Sequence, residues 1–285
     1  MKIAIVAVLF SALSAIGAAH AQTPAERGAY LMNSIVACGN CHTPKQPDGS
    51  EDKGKLLAGG FTIEAPPFTA VASNITPDRE TGIGAWTDAA IARAIREGIR
   101  PDGSIIGPPM PVEFYAKISD RDVMDIVAYL RTVPPVRNKT AKSVYRIPLP
   151  KSWGNAAADP DPQPVNDKVA YGAYLAGPLG HCMECHTPML AGGGGRDLKR
   201  IGAGGPPIPG PMGEVMPPNL TPDKETGIGQ WTDGEIKRAI TQGISRDGRK
   251  LMPPMAFPYY ARMTIRDQDA IVAYLRSLKP VAGQR

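Results

Sequence analysis

Residues 38–42 read Cys38-Gly39-Asn40-Cys41-His42, and residues 182–186 read Cys182-Met183-Glu184-Cys185-His186. Two cysteines at this spacing can each add through sulfur to one vinyl group of a haem, and the histidine that follows is then held beneath the iron as its fifth ligand. Paired cysteines also serve as thiol redox couples, half zinc sites or disulfides of exported proteins. Against these, all four cysteines of the chain lie in the two motifs, and both pairs carry the histidine. A tetrahedral zinc site would need the pairs brought together across about 140 residues of otherwise self-contained repeat. The sequence therefore predicts two covalent haem c groups, on Cys38 and Cys41 and on Cys182 and Cys185, with His42 and His186 as axial ligands.

The motifs sit in a duplicated module. Gly28-Ala29-Tyr30-Leu31 matches Gly172-Ala173-Tyr174-Leu175 at an offset of 144, which holds through Pro44 and Pro188. One residue is inserted in the following glycine-rich loop, and the offset is 145 from Ala58-Gly59-Gly60 and Ala203-Gly204-Gly205 onward. Between 74–136 and 219–281, 35 of 63 positions are identical, so one architecture is expected twice. Residues 25–37 and 168–181 read as helices delivering Cys38 and Cys182. Thr87 or Asp88, and Thr232 or Asp233, cap helices with stripes at Ile91, Ala94 and Ile95 and at Ile236 and Ile240, ending at Gly98 and Gly243. The last helices begin near Ser119 and Thr264. Each is expected to cross the first helix of its module at Gly28 or Gly172, where no Cβ intervenes.

The ligand on the far side of each iron separates an electron carrier from a haem that activates small molecules. Beyond residue 21 only three histidines remain, and His181 directly precedes Cys182, where it is poorly placed for the far face. Methionine thioether is the alternative, since it suits ferrous iron and raises the potential. Met110 and Met255 alone recur with the motif: both follow Pro-Pro, 68 and 69 residues after their histidines. They are the predicted sixth ligands. Asn74 and Asn219, Trp86 and Trp231, and Tyr115 and Tyr260 also recur. They either donate hydrogen bonds to propionates or the methionine sulfur, or are turn-forming and core residues. Each motif histidine is expected to give its other ring N–H to a backbone carbonyl.

Residues 1–21 read as a secretion signal: Lys2, an apolar run from Ile3 to Ile16, and the small-residue site Ala19-His20-Ala21. That run is too short for a confident membrane-spanning helix, and the mature chain is expected to have no transmembrane anchor. The mature sequence divides into a first domain at 22–136, a proline-rich linker at 137–166 in which Trp153 anchors to one module, and a second domain at 167–285. With 31 glycines and 30 prolines against five phenylalanines and three tryptophans, each module is short of apolar bulk, which a porphyrin would supply. The formal charge of +5 comes with no basic run, which argues against nucleic-acid binding.

Cys-x-x-Cys-His-Thr-Pro, Asn-Ile/Leu-Thr-Pro-Asp-x-Glu-Thr-Gly-Ile-Gly-x-Trp-Thr-Asp, Pro-Pro-Met and Ile-Val-Ala-Tyr-Leu-Arg, each present twice, resemble class I c-type cytochromes. More narrowly they resemble the cytochrome c subunits of bacterial alcohol, aldehyde and gluconate dehydrogenases. The resemblance implies two tandem all-α cytochrome c domains, each wrapped around one covalent haem with His/Met ligation. It also implies periplasmic location and electron relay from a dehydrogenase to an oxidase, another cytochrome or the quinone pool. Those subunits typically carry three haem modules. Two modules point to a soluble diheme carrier or partner subunit, with no catalytic residues of its own. The rival from another class is a diheme enzyme of peroxidase or thiosulfate-dehydrogenase type, in which one axial methionine is labile.

Overall fold

The computed structural model describes residues 22–157, 166–192, 195–210 and 213–283. The predicted leader lies outside the described residues, as do Pro160, Pro162 and Pro164 of the proline-rich segment. Helix α1 (Pro24–Asn33) opens with a capping box between Thr23 and Glu26. The helix expected over 25–37 stops at Asn33, where the Asn33 and Ser34 side chains bond back to the carbonyls of Ala29 and Tyr30 and compete with the helical ladder. Ala37 then takes a left-handed conformation (φ 50°) and launches α2 (Cys38–His42) as a separate turn.

Between the motif and the Asn74 turn the chain forms a hairpin, β1 (Thr62–Ala65) with β2 (Phe68–Val71), turning at Pro66-Pro67. Helix α3 (Asp88–Glu97) is capped by the Thr87 hydroxyl, which accepts from Ala90 N, and ends at left-handed Gly98. Met110 leads into the short α4 (Val112–Tyr115), and Ser119 caps α5 (Asp120–Leu130). The segment after α5 returns to the first repeat: β3 (Val144–Tyr145) adds antiparallel to β2, and Trp153 donates its indole N–H to the Ile106 carbonyl at 2.8 Å. Trp153 also packs on Gly98, where a Cβ would come 2.7 Å from its ring.

The second repeat follows the same order. Helix α6 (Lys168–Tyr174) is shorter than the 168–181 expected. Pro178, which has no N–H to give, sits in the π-helical turn Leu175–Leu179 that replaces the rest. Left-handed His181 (φ 39°), the counterpart of Ala37, launches α7 (Cys182–Cys185). A hairpin of β4 (Ile208–Gly210) and β5 (Gly213–Val215) leads to α8 (Asp233–Gln242), α9 (Phe257–Tyr260) and α10 (Ile265–Ser277). Among the described residues the all-α expectation is thus corrected to helical with two small sheets. Both hairpins lie in the loops after the motifs, and β3, beyond α5, completes the first sheet. Among the described residues no helix is long and apolar enough to cross a membrane.

Helices α1 and α5, and α6 and α10, cross closely at the expected glycines. A Cβ on Gly28 would lie 1.9 Å from the Asp125 carbonyl oxygen, and one on Gly172 would lie 1.9 Å from that of Ala270. Leu31, Met32, Ile35, Val123, Ile126 and Val127 fill the first interior; Leu175, Leu179, Ile271, Val272 and Leu275 fill the second. The two interiors join in one apolar cluster.

A reciprocal polar clamp fastens the repeats. The Tyr174 hydroxyl from the second repeat donates to Asp122 at 2.8 Å and accepts from Ser119 N at 3.1 Å, at the start of α5. The equivalent Tyr30 from the first repeat donates to Asp267 and accepts from Thr264 N at 3.0 Å, at the start of α10. Each carboxylate is also held within its own repeat, Asp122 by Arg27 and Asp267 by Tyr171. Tyr174→Phe leaves a buried carboxylate short of one donor, so it should cost about 1–3 kcal/mol of stability. Denaturant unfolding of the full chain checks this; an unchanged midpoint would mean that the clamp contributes nothing.

Candidate haem sites

The expected carbonyl partners of the motif histidines are Ser73 and Pro218. His42 Nδ1 and His186 Nδ1 each lie 2.8 Å from the carbonyl oxygen of these residues, which occupy equivalent places in the repeats. A carbonyl can only accept, so each Nδ1 carries the proton and each Nε2 keeps its lone pair for a metal. Burial pushes both imidazoles below the ordinary histidine range, against a smaller upward pull from the carbonyl. Neither Nε2 has a hydrogen-bond partner among the described residues. Gly59 N in turn donates to the His42 carbonyl at 2.7 Å, and Gly204 N to that of His186 at 3.0 Å. Both glycines have positive φ, and a Cβ on Gly59 would lie 2.4 Å from the Ser73 carbonyl carbon.

The four cysteines are half-buried and no disulfide joins them. Burial pushes Cys38 up to about 12, Cys182 to about 11 and Cys185 to about 12, and raises Cys41 as well. A thiol redox couple needs the reverse, an electropositive setting that lowers one thiol. Among the described residues no three His, Cys, Asp or Glu side chains converge in a metal-holding group. Neutral imidazoles with free Nε2 atoms, un-ionised thiols and apolar walls fit haem c, whose attachment needs thiols on one turn and a histidine on the same side.

Met110 and Met255 are half-buried and pack against the apolar core at the ends of equivalent Pro-Pro-Met segments. Tight turns at Val112 N to the Met110 carbonyl and Phe257 N to the Met255 carbonyl hold both. The remaining recurring residues separate by environment. Asn74 spends its amide on the protein: Nδ2 donates to the Val136 carbonyl at 2.8 Å and to Thr81 Oγ1 at 3.1 Å, while Oδ1 accepts from Thr76 N and its hydroxyl. Asn219 repeats this with Val281, Thr226 and Thr221. These contacts support the turn-forming alternative for both asparagines. Trp86 and Trp231 lie against the core, and their carbonyls receive Arg131 and Arg276. Tyr115 and Tyr260 are 4 % and 7 % exposed, yet neither hydroxyl has a hydrogen-bond partner among the described residues.

His181 is partly exposed and pairs with Glu184 at 3.0 Å, with its ring edge-on to Tyr115 at 5.8 Å. Sequence reasoning missed Ser73 and Pro218, because a backbone carbonyl has no residue signature. It also missed Arg131 and Arg276, although their spacing from the tryptophans is the same in both copies and offered that signal.

Two cytochrome domains arranged in tandem are what this architecture defines, and comparison with known proteins agrees. Residues 169–279 match the cytochrome c family profile, and residues 23–130 match the family described as cytochrome c oxidase, cbb3-type, subunit III. The chain is 34% identical over 257 residues to a diheme cytochrome c-type protein of Cereibacter sphaeroides, covering 86% of this chain and 82% of that one. It is 34% identical over 279 residues to the fructose dehydrogenase cytochrome subunit of Gluconobacter japonicus, covering 90% of this chain and 54% of that protein. With the alcohol dehydrogenase (quinone) cytochrome c subunit of Gluconobacter oxydans it shares 35% identity over 250 residues, covering 80% of this chain and 49% of that one. The chain thus spans about half the length of the dehydrogenase subunits it matches. It belongs to the c-type cytochromes.

Proposed function

We propose that this protein is a periplasmic diheme electron carrier that takes electrons from a dehydrogenase and passes them to an oxidase, another cytochrome or a quinone-linked protein. The observation that carries this reading is the pair of motif histidines. Each directly follows a cysteine pair, each is fixed by a backbone carbonyl at an equivalent position, and each presents a free Nε2. The similarity to dehydrogenase cytochrome subunits supports the donor class.

In this reading Cys38 and Cys41 hold the first haem and Cys182 and Cys185 the second, with His42 and Met110, and His186 and Met255, on the two irons. When bound, haem c supplies a one-electron ferric/ferrous couple. The protein's part is to keep water from the site, to fix the imidazole tautomer through Ser73 and Pro218, and to offer thioether sulfur from the stiff Pro-Pro-Met segments. The domains take the boundaries 22–136 and 167–285, with a signal peptide removed after about Ala21.

A carrier closed on both faces differs from an enzyme of peroxidase or thiosulfate-dehydrogenase type in its response to carbon monoxide. The fully reduced protein should bind carbon monoxide slowly and incompletely at neutral pH, followed by the absorption change after rapid mixing. Rapid stoichiometric binding at one haem would point instead to a labile methionine and an enzyme.

A further inference from the structure

We infer that residues 138–157 form a strap and not a mere linker: they clasp the Pro108-Pro109-Met110 segment of the first repeat, and Tyr145, Leu149 and Trp153 are positioning residues for Met110. The second repeat obtains the same hold from two residues of its own, Met252 and Phe257. The clasp stands on contacts within the chain, while its bearing on Met110 as a ligand rests on the haem reading above.

The strap is tied down along its length. Asn138 Nδ2 donates to the Ala58 carbonyl at 2.8 Å, β3 joins β2, and Arg146 donates to the Ala65 and Pro66 carbonyls at 2.9 Å. The chain then crosses the residues that lead into Met110. A Cβ on Gly107 would lie 2.6 Å from the Tyr145 ring and 2.8 Å from Leu149 Cδ2. The Trp153 indole donates to the Ile106 carbonyl at 2.8 Å, and Ile106 N donates to the Gly98 carbonyl at 2.7 Å. Trp153 packs on that same Gly98, so it covers both ends of the turn. On the other side of Met110, Ala157 N donates to the Ala116 carbonyl at 2.9 Å, just past α4. Buried Arg96 holds the Ala157 carbonyl at 2.7 Å. Contacts from the strap therefore fall both before and after Met110. A segment with two prolines has few amides with which to fix itself, so these outside contacts set where Met110 stands.

The repeats differ at the places the strap touches. Gly107 corresponds to Met252 and Val112 to Phe257. A side chain at 107 and the strap exclude each other, and the second repeat carries a half-buried methionine at that place. In the first repeat a Cβ on Gly98 would meet Trp153 at 2.7 Å and Val112 at 3.0 Å. On the equivalent Gly243 it would meet the Phe257 ring at 3.0 Å. Phe257 thus does locally what Val112 and Trp153 do together, by laying an aromatic face over the end of the helix.

Hydrogen exchange of the full haem-carrying chain tests the clasp. Trp153→Ala should raise exchange across residues 98–112 at least ten-fold and leave 243–257 unchanged, and Met252→Gly should do the reverse. Exchange that stays unchanged at 98–112, or that rises equally in both repeats, overturns the strap. Should Trp153→Ala fail to fold, Tyr145→Leu, which lies outside the helical interior, is read by the same two outcomes. The bearing on Met110 is read separately, by titrating ferric protein with imidazole to displace the thioether. In a Met255→Leu background the remaining red band reports the first centre alone. Adding Trp153→Ala should lower the imidazole concentration that removes this band several-fold; equal concentrations overturn the positioning of Met110. A protein with no red band before any substitution defeats the haem reading, while the exchange comparison still decides the strap.

Discussion

Replacing Gly172 with valine should largely abolish haem incorporation in the second half of the protein. The new Cβ would lie 1.9 Å from the Ala270 carbonyl oxygen, 2.5 Å from its carbon and 2.9 Å from Tyr274 Cβ. Two of these atoms are backbone in the middle of α10, so no side-chain rotation relieves the clash. Helices α6 and α10 must separate, which opens the apolar interior around Leu175 and Ile271. Overpacking of this kind costs about 3 kcal/mol or more. For a chain of this size that corresponds to roughly 6–12 °C in melting temperature. Gly28→Val should do the same to the first half through the Asp125 carbonyl. Haem content per chain and thermal unfolding measure the effect. A Gly172→Val protein with two haems and an unchanged melting temperature would show that the helices do not cross as described.

The second large effect is expected at the methionines. Leucine has nearly the volume of methionine, so Met110→Leu and Met255→Leu should preserve packing while removing the thioether sulfur. Each single variant should lose the weak red absorption band of ferric His/Met haem from one centre and keep it at the other. The affected haem should also fall in potential and bind carbon monoxide readily, because a sulfur ligand that favours ferrous iron has gone. The double variant should lose the band entirely. A band of full intensity in Met255→Leu would remove that residue from the iron.

Much of this architecture was legible because the chain states it twice. The helix caps Thr87, Ser119, Thr232 and Thr264, the stops at Gly98 and Gly243 and the crossings at Gly28 and Gly172 follow from local rules that apply equally to both copies. The helices before the motifs were read too long. Their ends depend on Asn33 and Ser34 bonding backward and on Pro178 withholding a donor inside a π-turn, and the left-handed Ala37 and His181 carry no glycine to announce them. The hairpins were missed because each strand is only three or four residues long and lies in a loop rich in glycine and proline.

The clamp between repeats was hidden for a different reason. Tyr30 and Tyr174 align with each other, and so do Asp122 and Asp267, so the repeat places them at matching positions without saying that they pair across copies. Only the packing of one half on the other makes that distinction. Trp153 shows the converse: a lone large aromatic in a proline-rich segment signalled an anchor, and its indole meets Ile106 of the first repeat.

Intact mass of the purified protein, with peptide mapping of the four cysteines, tests the central claim most directly. The account predicts a mass excess of two porphyrins per chain, one on the peptide bearing Cys38 and Cys41 and one on that bearing Cys182 and Cys185. Fewer than two porphyrins, or cysteines that remain open to alkylation, would contradict it.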